Sequence, residues 1–353
     1  MAAPREPDFE RLRKALYCIK SDTVPIAELF HDIEVMDAFL NREVNTTQDL
    51  VDFYITAGYD YVPVRYRNWF SGVKNADEET FEKREIRKRR KERRTFTNQY
   101  DKQSIIKNLE DFKRYDWSQH GWLKGGGNLS YFDHIAGLIP PKTKLIAWSD
   151  GVYEFFTKFI GYETFCYSLY DQPEFVETVL REVGERAVEA YGRVAAHPAV
   201  GALWLADDVG YTEGLLWSPE LMRKLLFPVY RKIGDIARRC NKPLIFHSDG
   251  KLWDIVPDLI EAGFNALQPI EPKAWNAVEV KRKFGDKLCV MGTIDLDQLC
   301  RGSREKAISM VKEHLDLLAP KGGFVVGTSN TPAYYINQDN FRAMLETALE
   351  YRL

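Results

Sequence analysis

The chain has no CxxC pair, no surplus of charge of either sign, and no apolar run near the roughly 20 residues that a membrane-spanning helix needs. Its five cysteines, Cys18, Cys166, Cys240, Cys289 and Cys300, are odd in number and widely spaced. That argues against a disulfide framework and for reduced thiols. Residues Met1 to Lys14 are charged and lack the apolar centre of a secretory signal, so the expected location is the cytoplasm, with no membrane contact. A formal charge of −3 and a pI near 6.2 exclude a general affinity for nucleic acid. No glycine-rich dinucleotide fingerprint follows an early strand. The triplet Gly125-Gly126-Gly127 lacks the lysine and hydroxyl of a phosphate loop.

What is present is a rhythm of short apolar runs, each ending in polar residues and followed by a helical pattern. With 45% hydrophobic residues, 353 positions bury a large core, as one αβ barrel or as two ordinary domains. After an amphipathic helix over Asp8–Ile19, eight strand candidates follow: Val24–Phe30, Tyr59–Val64, Leu145–Trp148, Ala202–Leu205, Leu244–Phe246, Ala266–Ile270, Leu288–Met291 and Phe324–Val326. Eight βα units predict an α/β fold of the TIM (β/α)8 type, a single barrel domain with an N-terminal helical segment. One long insertion, residues 66–142, interrupts it after the second strand. The insertion holds a basic run, Glu82 to Arg94, with nine basic and three acidic residues. No aromatics interleave within the run, so it reads as a solvated helix or hairpin, or as a docking surface for an acidic protein. The aromatic stretch from Trp117 through Trp122 to Tyr131 and Phe132 reads as a mobile lid over an apolar pocket.

In a barrel the carboxyl ends of all strands meet at one mouth. That would gather Glu28, Arg65, Asp150, Asp207, Asp208, His247, Asp249, Gln268, Glu271, Asp295 and Asn330 around a single cavity. The sharpest element is Leu244-Ile245-Phe246-His247-Ser248-Asp249-Gly250. His247 and Asp249 lie two apart on extended chain, so they share a face and can converge on one ion, proton or ligand. Blander roles stand beside these. Asp249 could cap a helix, Glu271 could anchor a loop, Asp295 could cap the helix that follows it, and Glu28 could pair with Arg65. Of Asp207 and Asp208, one is expected to be structural and one functional. His31 is a further binding candidate, whereas His120, His134, His197 and His314 read as surface or packing residues.

The order of Pro25, Asp207-Asp208, Ser218-Pro219-Glu220, Phe227-Pro228, His247-x-Asp249-Gly250, Pro269-Ile270-Glu271-Pro272, Gly292-Thr293-Ile294-Asp295 and Gly322-Gly323 resembles the uroporphyrinogen decarboxylase superfamily. That superfamily includes methyltransferases that work with corrinoid proteins. A decarboxylase of this kind grips a polycarboxylate with an arginine-rich segment after its first strand, where this chain has Glu28, His31, Asp32 and Glu34. It also carries a histidine near its last strand, where this chain has Thr328-Ser329-Asn330. The thiol-methylating members hold zinc with a histidine, matched by His247, and two cysteines, which would fall at Asp249 and near Ser329.

The resemblance therefore points to the methyl-donor side, the O-demethylase type. Such an enzyme moves a methyl group from a small methylated substrate to cob(I)alamin, the corrinoid cofactor carried by a partner corrinoid protein. Protonating or metal-binding the leaving oxygen would lower the barrier. His247, Asp249 and Glu271 are the candidates for this work, either as ligands of zinc or with one acid as proton donor. Glu28, His31, Arg65, Trp148, Asp207, Asp208, Tyr211, Gln268 and Asn330 are candidates for binding substrate or cofactor. An aromatic methyl ether suits the aromatic content near the mouth, from Trp122, Tyr131, Trp148 and Tyr211. A quaternary amine or halomethane stays open, as does a homodimer. The alternatives are a decarboxylase-like lyase and a non-catalytic barrel acting as a binding or assembly protein.

Overall fold

A computed structural model describes residues 5–66, 106–115 and 129–353. Seven parallel strands form one sheet: β1 (Tyr61–Arg65), β2 (Lys144–Asp150), β3 (Val200–Ala206), β6 (Leu244–His247), β7 (Ala266–Gln268), β8 (Cys289–Met291) and β9 (Phe324–Val325). They lie in chain order, each hydrogen-bonded to the next. A small hairpin, β4 (Gly210–Tyr211) and β5 (Gly214–Leu215), stands between β3 and its following helix and was not foreseen from the sequence.

The strands are buried almost throughout because helices cover the outer face. The ring of Phe246 packs on Tyr230 and Phe264, which belong to that outer layer. Its neighbours Ile245 and His247 therefore point the other way, to the inside. Register then defines the interior layers. Arg65, Trp148, Trp204, Ile245 and Ala266 stand in one, and Asp150, Ala206, His247 and Gln268 stand two residues further toward the carboxyl ends. The upper layer is polar except for the small Ala206, which stands between Asp150 and His247.

The eighth position corrects the expectation of a full strand over Val24–Phe30. Among the described residues that segment makes one parallel bridge, Ile26 with Val326. It is fixed by bonds from Ala27 N–H to the Val326 carbonyl (2.9 Å) and from Val326 N–H to that of Pro25 (3.0 Å). Pro25 has no N–H of its own, so a longer ladder cannot start there. Side chains join the other edge: the Tyr61 hydroxyl bonds both the backbone N–H (2.8 Å) and the carbonyl of Glu28.

The helices follow the expected punctuation. The longest, Pro173–Ala196, starts on a proline and buries one apolar stripe. Pro257 lies in the first turn of Val256–Ala262, so that helix restarts there. No described helix is long and apolar enough to cross a membrane. All five cysteines are free thiols. Tyr131 and Phe132 belong to the helix Ser130–Ala136, and Phe132 is buried against Tyr66 and His197. For these two residues the lid reading gives way to a packing role. Trp117, Trp122, Gly125–Gly127 and the basic run lie outside the described residues.

Candidate functional site

His247 ends β6 on the inner face, and its Nδ1 lies 2.5 Å from Oε1 of Gln268, its register partner on β7. The Gln268 oxygen can only accept, so Nδ1 carries the proton and the Nε2 lone pair faces the cavity. Nε2 is 3.5 Å from Oδ1 of Asp208. The chain turns sharply after β6, and the Asp249 N–H donates to the same Asp208 oxygen (2.9 Å). Asp249 Oδ2 accepts from the Asn330 side-chain amide (3.2 Å), while its Oδ1 is buried without a partner. Ligand atoms of Asp208, His247 and Asp249 lie within 4.8 Å of one another.

The electrostatics of this trio are strained. Burial raises both carboxyls above their ordinary range. The charge of Asp249 raises Asp208 further, and that of Glu271 does the same to Asp249. Burial works against a charged His247, but Asp208 and Asp249 more than offset it and the imidazole is raised. Glu154 also acts here and was missed in the sequence. It hydrogen-bonds Asp208, and its charge reaches His247 and Asp249. The available signal was its place in the first turn of the helix Val152–Ile160, directly after β2.

Glu271 does not join the trio. Its Oε2 accepts from the Gly250 N–H (2.6 Å), and its charge acts on Asp249 from beside the trio. Gly250 has φ +85°, and a Cβ there would come within 2.2 Å of the Tyr211 nitrogen, so the turn requires glycine. Asp207 is the structural member of its pair. It accepts from the Tyr230 hydroxyl (2.7 Å) and from the N–H groups of Glu154 (2.8 Å) and Tyr153 (3.2 Å), anchoring the start of a neighbouring helix. Burial pushes its carboxyl up to about 7 against those donors.

Two binding candidates lie in the wall instead of the mouth. Glu28 is buried, and its carboxylate accepts from the Thr328 N–H (2.6 Å) and hydroxyl (2.9 Å). His31 is enclosed by Phe53, Tyr54, Tyr59 and Phe341, with the hydroxyls of Tyr54 and Tyr59 at 3.3 and 2.9 Å. Burial takes its pKa to about 3, so it is neutral. Arg65 pairs with Asp150, not with Glu28, and lies 4.8 Å from the Trp148 ring, which stacks on Phe30. Tyr211 is exposed on the β4–β5 hairpin. Asp295 caps the helix Leu296–Arg301, as its blander reading expects. His197 pairs with Asp133, and His314 bonds Thr293.

The model of the family "Uroporphyrinogen decarboxylase (URO-D)" matches residues 104–351, which include β2 to β9 and the whole trio. The chain belongs to the uroporphyrinogen decarboxylase family. Among solved structures, a methyltransferase from Methanosarcina mazei superposes with a TM-score of 0.70 at 16% identity, covering 96% of this chain and 97% of that one. This likeness establishes a shared fold within which the URO-D family sheet is placed. A putative vitamin-B12 independent methionine synthase from Listeria monocytogenes gives a TM-score of 0.46 at 9% identity, with 98% of each chain covered. No curated protein matches in sequence.

Proposed function

We propose that this URO-D family member is a methyltransferase that takes a methyl group from an aromatic methyl ether and passes it to cob(I)alamin on a partner corrinoid protein. The observation that carries this reading is the Asp208–His247–Asp249 trio on the inner face, with its buried, unpartnered Asp249 Oδ1 and the His247 Nε2 turned toward the two acids. A buried carboxylate oxygen without a donor is costly, and a cation removes that cost. Two carboxylates and one imidazole fit zinc or another divalent ion with a preference for oxygen. When bound there, the ion supplies Lewis acidity toward the leaving oxygen of the donor.

The chain's own residues do the rest. Gln268 fixes the His247 tautomer by accepting from Nδ1, and Asn330 orients the Asp249 carboxylate. In the metal-free alternative, Asp208 or Asp249, whose carboxyls burial raises, is the candidate acid for the departing phenolate. A small planar donor would lie against Ala206, between His247 and Asp150, over Trp148 and Trp204. Decarboxylation of a polycarboxylate is the weaker reading. Asp150, Glu154, Asp208, Asp249 and Glu271 gather at this mouth, and Arg65 already pairs with Asp150. Such a field repels a polyanion.

The test mixes the protein with a corrinoid protein in the cob(I)alamin state and a panel of aromatic methyl ethers, quaternary amines and halomethanes, following methylcobalamin by its visible spectrum. Metal content of the same sample is measured in parallel. Methylation from an ether together with about one equivalent of zinc supports the proposal. Methylation by metal-free protein assigns the work to a protein acid. Turnover of a uroporphyrinogen with no methylation by any donor would replace it with the lyase reading.

A further inference from the structure

The opposite end of the sheet holds a second concentration of charge, of the opposite sign. Where β2, β3 and β6 begin, an open groove of about 340 Å³ is lined by Arg13, Lys142, Lys144 and Lys242, with Asp8 and Glu10 on one wall. Both acids are engaged: Asp8 caps the helix Phe9–Leu16, and Glu10 pairs with Arg13 (3.2 Å). The three lysines have no carboxylate within ion-pair distance among the described residues. Lys144 Nζ donates to the Pro198 carbonyl (3.1 Å) and Lys242 Nζ to the adjoining His197 carbonyl (2.8 Å). Two ammonium groups are thus held at neighbouring carbonyls of one loop. Burial brings Lys242 down to about 8, and the charge of Lys144 pushes the same way.

The groove is also shaped. Gly201 lies beside it, packed against Phe9 and Lys144: a Cβ there would come within 2.5 Å of the Phe9 ring and 2.7 Å of Lys144 Cβ, so this close approach requires glycine. Lys142 (φ 67°) and Asn241 (φ 52°) hold left-handed backbone, a conformation that L residues adopt at a cost, at the two turns that bring the cations in. A compact oxyanion satisfies several ammonium groups at once through short charge-assisted bonds. We propose that this groove binds a small phosphate-class oxyanion, at a site separate from the mouth. The strands of four to seven residues between the two put them roughly 20 Å apart.

The test is calorimetric titration of inorganic phosphate and of pyrophosphate into the full chain at low salt, with thermal melts of each variant to confirm folding. Saturable one-to-one binding, weakened about tenfold or more in Lys144→Gln and in Lys242→Gln but unchanged in Asp208→Asn, is the expected result. Lys142→Gln, on an exposed side chain, supplies a third variant that leaves the two lysine–carbonyl contacts in place. Absence of saturable binding of both anions at millimolar concentration overturns the proposal. So does binding that is indifferent to all three lysines, or that is lost in Asp208→Asn.

Discussion

Two buried acid and histidine sets sit on the same sheet and have opposite characters. In the wall, Glu28 and His31 find donors and acceptors for their polar atoms: Thr328 serves the carboxylate and two tyrosine hydroxyls serve the imidazole. At the mouth, Asp249 keeps an unpartnered buried oxygen, and His247 Nε2 has only the Asp208 carboxyl, 3.5 Å away and itself raised by burial and by the charge of Asp249. The first set is complete without a ligand and belongs to the scaffold. The second is completed only by something from outside, which is the physical signature of a site.

The largest effect expected from this contrast is at His247. His247→Ala should lower methyl transfer by about 10³-fold or more, beyond the 10²–10⁴-fold span's lower end for acid help alone, while its melting temperature stays near that of the parent. Parental activity in that variant would break the comparison on the functional side. Next comes Glu28. Glu28→Leu leaves the Thr328 N–H buried without its acceptor and should cost about 1–3 kcal/mol in denaturant unfolding. Stability unchanged there, with activity lost, would move Glu28 from the wall to the site.

The third effect is graded with pH. His31 titrates at about 3 when folded and near 6.5 when unfolded, so below pH 6.5 the unfolded state binds the extra proton. Stability contributed by the neutral ring is present above pH 6.5. It is lost as pH falls toward 3, by up to roughly 1.4 kcal/mol per pH unit. His31→Gln should flatten that limb of a stability-versus-pH curve. An identical slope in the variant would mean that another group controls the acid response.

Much of this contrast was legible in the chain before any coordinates, and the rest fails for identifiable reasons. Apolar runs ending in polar residues mark β1, β2, β3 and β6 to β9, because strands buried on both faces read as continuous hydrophobic stretches. The same rule overreached at Val24–Phe30, where Pro25 shortens the ladder to a bridge. The hairpin at Gly210–Leu215 has strands of two residues, too short for any period. In the site, the spacing of His247 and Asp249 announced convergence, but the third member depended on where the turn at Gly250 points its N–H. That N–H goes to Glu271, while the Asp249 N–H holds Asp208 against the trio. Glu154 escaped because a carboxylate in a first helical turn is ordinary, and only packing brings it to Asp208.

The bond from Thr328 to Glu28 spans 300 residues of chain. At the usual pace of synthesis, about 5–20 residues per second, Glu28 leaves the ribosome roughly 15–60 s before its partner exists. During that interval the apolar segment around Ile26, which ends up against Val326, has no place to dock. The seam of this sheet therefore stays open until nearly the whole chain has been made.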